Sequence, residues 1–416
     1  MTEQSKTIAV VGASPFAWLL SGLLAADHSR AIVLLSPAPN PHNLRSMPSL
    51  SLAPVTRPEL WSLLRANTRP AIRRLARLGP GIAERIDLRL SAHSADAAIA
   101  LNHIYRTAEG FRFPVDPPAR SDSAIALTLR DVRLFNPSPL LSVADRWLAS
   151  SNVAVLNSVG ALKLKRDGSA TFGATAIDQV VLADDGAILD WLDPEEIAHF
   201  ARIEKWLGIE TAPQRHARHR AGMDLDTGAI FAQSGDGIVR ATARDDDGRG
   251  LDRIASAFRF DPAPRLAALT HFSRLLTHDG APAIGPTRRG RLFVVAGLGV
   301  LDIVLAPLLA AIISETASGV KPNGRRHTAP RGVNRAGRSP NSLPGMCREV
   351  RHEQSGPARG RTPARILPAG DRPVAPPPFP AQWPQGFGVR RRHGAIRSSG
   401  KRGSRRRNFR LQPDCP

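Results

Sequence analysis

Residues 10–20 read VVGASPFAWLL. A strand that ends in glycine and turns into a helix presents unpaired backbone amides and a partial positive charge, the chemistry that holds a phosphate. In a dinucleotide-binding turn the first glycine makes the turn and the second admits phosphate to the backbone. The third lets helix and strand pack closely. Those three places are Gly12, Ser14 and Ala17, with Ala13 between the first two. Alanine is tolerated at the third, but Ser14 puts a side chain where phosphate should approach. Ser14-Pro15 also reads as an N-cap followed by a first-turn proline, whose hydroxyl would engage one of the amides a phosphate uses. At the end of the next strand, where an acid would bind ribose hydroxyls, stands Ser36. Taken alone, these residues describe a plain strand-to-helix start.

Other candidate chemistry is sparse. His216 and His219 lie three apart in QRHARHR, but Arg215, Arg218 and Arg220 beside them oppose a cation, so a solvated basic face is expected rather than a metal site. The stretch ARDDDGRG, 243–250, lacks the alternating ligand positions and the terminal glutamate of a calcium loop. No Gly-x-Ser-x-Gly elbow and no Walker loop is present. Tyr105 is the one tyrosine; it could line a substrate site, and with no motif around it partial burial in a core is the other reading.

The elements that must position these residues follow from apolar patterning. Ile8–Val11 and AIVLLS, 31–36, read as strands buried on both faces, with a helix over Phe16–Ala26 between them, which makes one right-handed βαβ unit. Helices are expected over 57–78 and 138–149, and strands over 153–156, 161–165 and 178–183. Asp193, Pro194 and Glu196 open a helix expected to bury Ile197, Phe200, Ile203 and Leu207 and to close at Gly208. Shorter strands and acidic loops fill 222–262. RLFVVAGLG is a last buried strand, and Leu305–Glu315 a closing helix. The longest apolar run, Leu292–Ile313, is broken by Gly297, Gly299, Asp302 and Pro307, so it reads as strand, loop and helix rather than a membrane span.

The chain has 416 residues and a net charge of +21, unevenly placed. Residues 321–416 carry 22 Lys+Arg against 4 Asp+Glu, which leaves 35 against 32 for the first 320. The body is near neutral, and it has no cysteine, since Cys347 and Cys415 both lie in the tail. With 20 arginines, 15 prolines and no sustained apolar periodicity, the tail is expected to be disordered. Its arginine runs would bind nucleic acid or anionic lipid only nonspecifically, through phosphate. The abrupt change of composition also matches GC-rich DNA read out of frame. No basic leader with a cleavage site opens the chain, and a cytoplasmic location is expected.

The stretch RLLTHDGAPAIGPTRRGRLFVVAGLGVLDIVLAPLLAAII, 274–313, resembles the C-terminal signature of the FAD-dependent D-amino-acid-oxidase superfamily, which includes glycine and sarcosine oxidases. The match runs through Arg274, Thr277, Asp279-Gly280, Pro282 and Ile284-Gly285-Pro286, then Gly297, Gly299, Ile303 and Ala306-Pro307. NPSPLLSVADRWLASSNVAVLNSVGALKL and DQVVLADDGA are similar to two further segments of that family. The resemblance spans roughly residues 8–319 and implies an α/β fold. A discontinuous Rossmann-like FAD domain would comprise 1–90, 131–187 and 269–320, with an inserted mixed-sheet α+β substrate domain of 91–130 and 188–268. The disordered basic tail, 321–416, would follow.

The resemblance also implies cofactor contacts at Gly12, Ala13, Ser14, Ala17, Ser36, Val159, Ala183, Gly297, Gly299 and Asp302. Arg274 would clamp a substrate carboxylate, with an ordinary surface ion pair as its structural alternative. The implied activity is FAD-dependent oxidation of an amino acid or related amine by hydride transfer to flavin, with the electron acceptor unspecified.

The chain departs from the family pattern at four places. Leu298 stands for a histidine, and Asp302 for a glycine. RSMPSLSLAP, 45–54, has no glycine, and Ala183-Asp184-Asp185 replaces Ala-Thr-Gly. These departures keep open a second reading, a non-catalytic relative acting as partner subunit or scaffold. A third is nucleic-acid binding through the tail.

Overall fold

The computed structural model describes residues 6–36, 47–55, 57–121, 124–157, 162–165, 170–215, 217, 219–258, 264–287 and 292–317. Val159, His216 and the tail lie outside the described residues. In chain order the first half runs β1 (Thr7–Val11), α1 (Pro15–His28), β2 (Ala31–Leu35), β3 (Ser49–Leu50), α2 (Pro58–Ala76), β4 (Ala83–Ala92), α3 (Ala95–Gly110), β5 (Ala119–Ser121), β6 (Ala124–Phe135), α4 (Pro137–Ser150) and β7 (Val153–Leu156). Then come β8 (Leu162–Leu164), β9 (Ala170–Phe172), β10 (Thr175–Ile177), β11 (Gln179–Leu182), α5 (Asp185–Trp191), α6 (Pro194–Ala198) and β12 (Ala201–Thr211). The chain continues with β13 (Ala221–Asp224), β14 (Ile230–Gln233), β15 (Val239–Arg244), α7 (Gly250–Phe258), β16 (Leu266–Thr277), β17 (Ala283–Pro286) and β18 (Leu292–Ala296). A 3-10 turn, Gly299–Leu301, leads into α8 (Asp302–Ala317).

One sheet has the order β17-β18-β11-β1-β2-β7 and is parallel except for its edge strand β17. Its inner strands are almost wholly apolar because both faces are covered. Ile8 and Val10 pack towards α1, α4 and α8, while Ala9 and Val11 pack into a second cluster with α5 and the small sheet β8–β10. As expected, β1, α1 and β2 form a βαβ unit, with β1 between β2 and β11. In open α/β sheets a ligand binds beyond the strand ends at such a switch point.

A second, larger mixed sheet runs β16-β12-β15-β14-β13-β4-β6-β3, with β5 on β6. On one face Leu207, Ile209, Ala241 and Ala243 bury against Ile254 of α7. Helix α8 packs on α1 and α2. By length and composition Gly299–Ala317 would pass for a membrane span, but 56% of it is buried inside this fold.

One expected element is wrong. The helix foreseen from Asp193 to Leu207 stops after Ala198, and Ala201–Thr211 is a strand paired on both sides, with β15 and β16. Ile203 is half exposed rather than facing a core, and Gly208 pairs with Thr242 and Thr270 instead of ending a helix. The i, i+3 spacing of apolar residues was real, but two flanking strands offered the backbone a full ladder of hydrogen bonds and won. Helix α7 also stands in the region expected to hold only strands and loops.

Candidate functional site

The turn after β1 is drawn tight by the Gly12 amide, which donates to the carbonyl of Leu35 (3.1 Å). A Cβ on Gly12 would meet Asp184 Oδ2 at 2.7 Å and Ala17 Cβ at 2.9 Å, so glycine is required and Ala17 sits where close strand–helix packing needs a small residue. Ser14 caps α1, its hydroxyl accepting from the Ala17 amide (3.2 Å). The two amides that lead into this helix are also taken. Asp184 Oδ2 accepts from the amides of Ala13 (2.7 Å) and Ser14 (3.0 Å). Its other oxygen accepts from the Ala187 amide (2.9 Å) and caps α5.

One carboxylate therefore joins the starts of two helices. It sits where a helix N-terminus otherwise draws a phosphate. Ala183, one residue earlier, is buried, its amide donating to Val11.

The end of β2 is closed as well. Ser36 is fully buried and accepts from the indole Nε1 of Trp18 (3.2 Å), itself buried in α1. A ribose hydroxyl would have to displace an indole that fills the interior.

At the last strand, Gly297 (φ 71°) and Gly299 (φ 56°) take left-handed conformations that favour glycine. A Cβ at Gly297 would come within 2.9 Å of Thr277. Asp302 begins α8, and its carboxyl accepts from the Ile303 amide (2.7 Å) and from the hydroxyl of Ser49. Burial pushes this carboxyl up to about 6. A second helix start thus also carries its own acid. Ser49 comes from the glycine-free stretch after β2.

Arg274 lies on β16, in register with Glu204. Its guanidinium stacks 4.7 Å from the ring centroid of Trp206, and one of its nitrogens would meet a Cβ on Gly299 at 3.1 Å. The charges that act on it are Asp185 and Glu204, neither within ion-pair distance, so it is not the surface ion pair of the alternative reading. Burial lowers its pKa. Asp185, whose carboxylate accepts from the Leu275 amide (3.1 Å), is raised to about 6 by burial.

Tyr105 is not brought to this place. It is half buried on α3, which packs on β4 and β6, far along the sheet order from β16, and its hydroxyl donates to Glu109 on the same helix (3.1 Å). His219 contacts Arg89 (3.2 Å), and no metal-binding cluster of His, Cys, Asp or Glu occurs among the described residues.

A shallow cleft runs from Pro15 at the start of α1 past Ser49 and Ile303 to β12 and β15. Sequence reasoning missed Arg240 and Thr242 among its polar groups, because no motif surrounds them. Alternation along β15 was the available signal, since Arg240 and Thr242 stand opposite Glu210 and Gly208 of β12.

A diphosphate drawn to this helix start would meet the Asp184 carboxylate already on the amides of Ala13 and Ser14. With Asp184 on both, the residues present do not fit that group.

No family model and no curated protein sequence matches the chain. Solved structures do. Iminodiacetate oxidase from Chelativorans sp. BNC1 matches with a TM-score of 0.59 at 14% identity over 75% of this chain and 95% of its own. Glycine oxidase from Geobacillus kaustophilus gives 0.58 at 15% over 76% and 95%, and L-proline dehydrogenase from P. horikoshii 0.57 at 11% over 76% and 94%. The chain therefore has the fold of the FAD-dependent D-amino-acid-oxidase superfamily that its C-terminal sequence resembles, with the dinucleotide turn of that fold closed by its own carboxylate.

Proposed function

We propose that this protein uses the amine-oxidase fold as a small-molecule-binding or partner protein and does not carry FAD. The observation that supports this most is the Asp184 carboxylate on the amides of Ala13 and Ser14. Pyrophosphate brought to the same place would meet a negative charge that already holds the amides of Ala13 and Ser14. Trp18 on Ser36 and the acid of Asp302 at the start of α8 point the same way.

Arg274 favours a second reading, FAD-dependent oxidation of an amino acid or related amine. A guanidinium stacked on an aromatic ring and, among the described residues, without an ion pair suits bidentate capture of a carboxylate. Under that reading Asp184 must leave the turn before the cofactor enters.

One assay separates the two. The full chain is supplied with FAD, a redox dye and panels of amino acids and amines. The leading reading expects no substrate-dependent dye reduction. Reduction that disappears in Arg274→Ala would establish the second.

A further inference from the structure

We propose that strand β16 joins two copies of this chain, pairing with its counterpart in antiparallel across a two-fold axis at His271. The pairing uses neither the turn after β1 nor a cofactor, so it stands whichever reading of the function holds.

β16 is an edge strand of twelve residues, Leu266–Thr277, bonded to β12 alone. The other ends of the two larger sheets are short: β3 has two residues, β7 four, and β17 four including Pro286. Natural edge strands are blunted by shortness, by charge, especially lysine, or by proline. β16 is long and contains no lysine, aspartate, glutamate or proline. Leu266 and Leu269 on it are 40% and 44% exposed. An open edge of that length and composition is a template for another strand.

Leu275 donates its amide to Asp185, away from β12. Backbone groups alternate in direction along a strand, so Ser273, His271 and Leu269 point their N–H and C=O outward as well. Among the described residues nothing bonds to those groups. The open run is bounded at both ends. The Leu275 amide is spent, and Ala267 is the extra residue of a bulge, opposite no residue of β12.

Antiparallel pairing sets outward residue against outward residue. With His271 opposite the partner's His271, Leu269 lies opposite the partner's Ser273, and all three outward residues are used. A shift of two residues either way would set one of them against the spent Leu275 amide or the Ala267 bulge. The side chains agree with this register. Arg274 comes opposite Ala268 rather than another cation. The His271 ring is turned to Asp245 of its own chain (3.0 Å), which balances the charge it gains on protonation. Leu269 and Ile203, the latter 50% exposed and opposite Leu275, lie on one face beside the seam. A two-fold pairing occupies both β16 edges at once and closes on itself, so the association stops at two.

Sedimentation of the full chain over a range of concentrations tests this, and a dimer is expected. Ser273→Pro removes an outward amide that the single chain does not use, and should weaken dimerisation at least about tenfold. Ser273→Ala should leave it unchanged. Leu269→Lys, which puts a charge on the edge, should also weaken it. With Cys347 and Cys415 replaced by serine, His271→Cys should give a disulfide-linked dimer on mild oxidation. Directly opposite residues of such a pair have Cα atoms about 5.5 Å apart, within disulfide reach. A chain that stays monomeric at every concentration would overturn the proposal. So would a dimer that Ser273→Pro and Leu269→Lys leave intact, or one that His271→Cys does not cross-link.

Discussion

Asp184→Ala is expected to lower the free energy of unfolding by about 2–4 kcal/mol, and to make the protein responsive to inorganic pyrophosphate. The substitution strips the acceptor from three amides, those of Ala13, Ser14 and Ala187. A hydrogen bond to a charged group contributes about 1.5–3 kcal/mol and an N-cap about 1 kcal/mol, and groups sharing one acceptor do not add fully. The cost comes from both helix starts at once, so loss of either cap alone understates it. Removing the carboxylate also uncovers two donors at a helix N-terminus, where an anion is stabilised. Pyrophosphate should then raise the variant's urea midpoint by mass action and leave the wild type unchanged. Equal midpoints for variant and wild type, without ligand, would mean that the carboxylate is incidental to the turn.

The second large effect concerns Asp302. Its carboxyl titrates at about 6 in the fold, above the ordinary 3.8, because burial disfavours the charged form. The folded state therefore holds this proton more tightly than the unfolded chain does. Stability is full where both states are protonated and is lost as pH rises from about 4 through about 6. Asp302→Asn keeps an acceptor for Ser49 and the Ile303 amide but cannot ionise. Above about pH 7 it should be more stable than wild type by about 2–3 kcal/mol, and near pH 4 the two should agree. Asp185, raised for the same reason, keeps some slope in the variant. Urea unfolding at both pH values measures the difference; a gain that persists undiminished at low pH would trace it to packing instead.

Much of the fold was legible because its strands are short apolar runs separated by capped helices. Thr7–Leu35 and Leu292–Ala317 each combine a strand covered on both faces with a helix start, and pattern alone gives their type. Residues 193–211 misled because a helical spacing of Ile197, Phe200 and Ile203 was overridden by partners distant in sequence, β15 and β16. The site was legible in part. Ser14, Ser36, Asp184 and Asp302 stood out as departures from a cofactor-binding pattern. That Asp184 bridges α1 and α5 depends on β1 and β11 being parallel neighbours, a pairing set by the whole sheet. Trp18 on Ser36 is equally nonlocal in effect. Tyr105 drew notice only for being the sole tyrosine, and its own helix accounts for its hydroxyl.

Whether the dinucleotide turn is already filled is read from the visible absorption spectrum of the purified full chain. The spectrum is recorded as isolated, and again after incubation with FAD and desalting. A colourless, folded protein is expected both times, with no flavin band retained by the wild type. Flavin bands that survive desalting in the wild type would contradict it, because FAD would then have displaced the Asp184 carboxylate from the amides of Ala13 and Ser14.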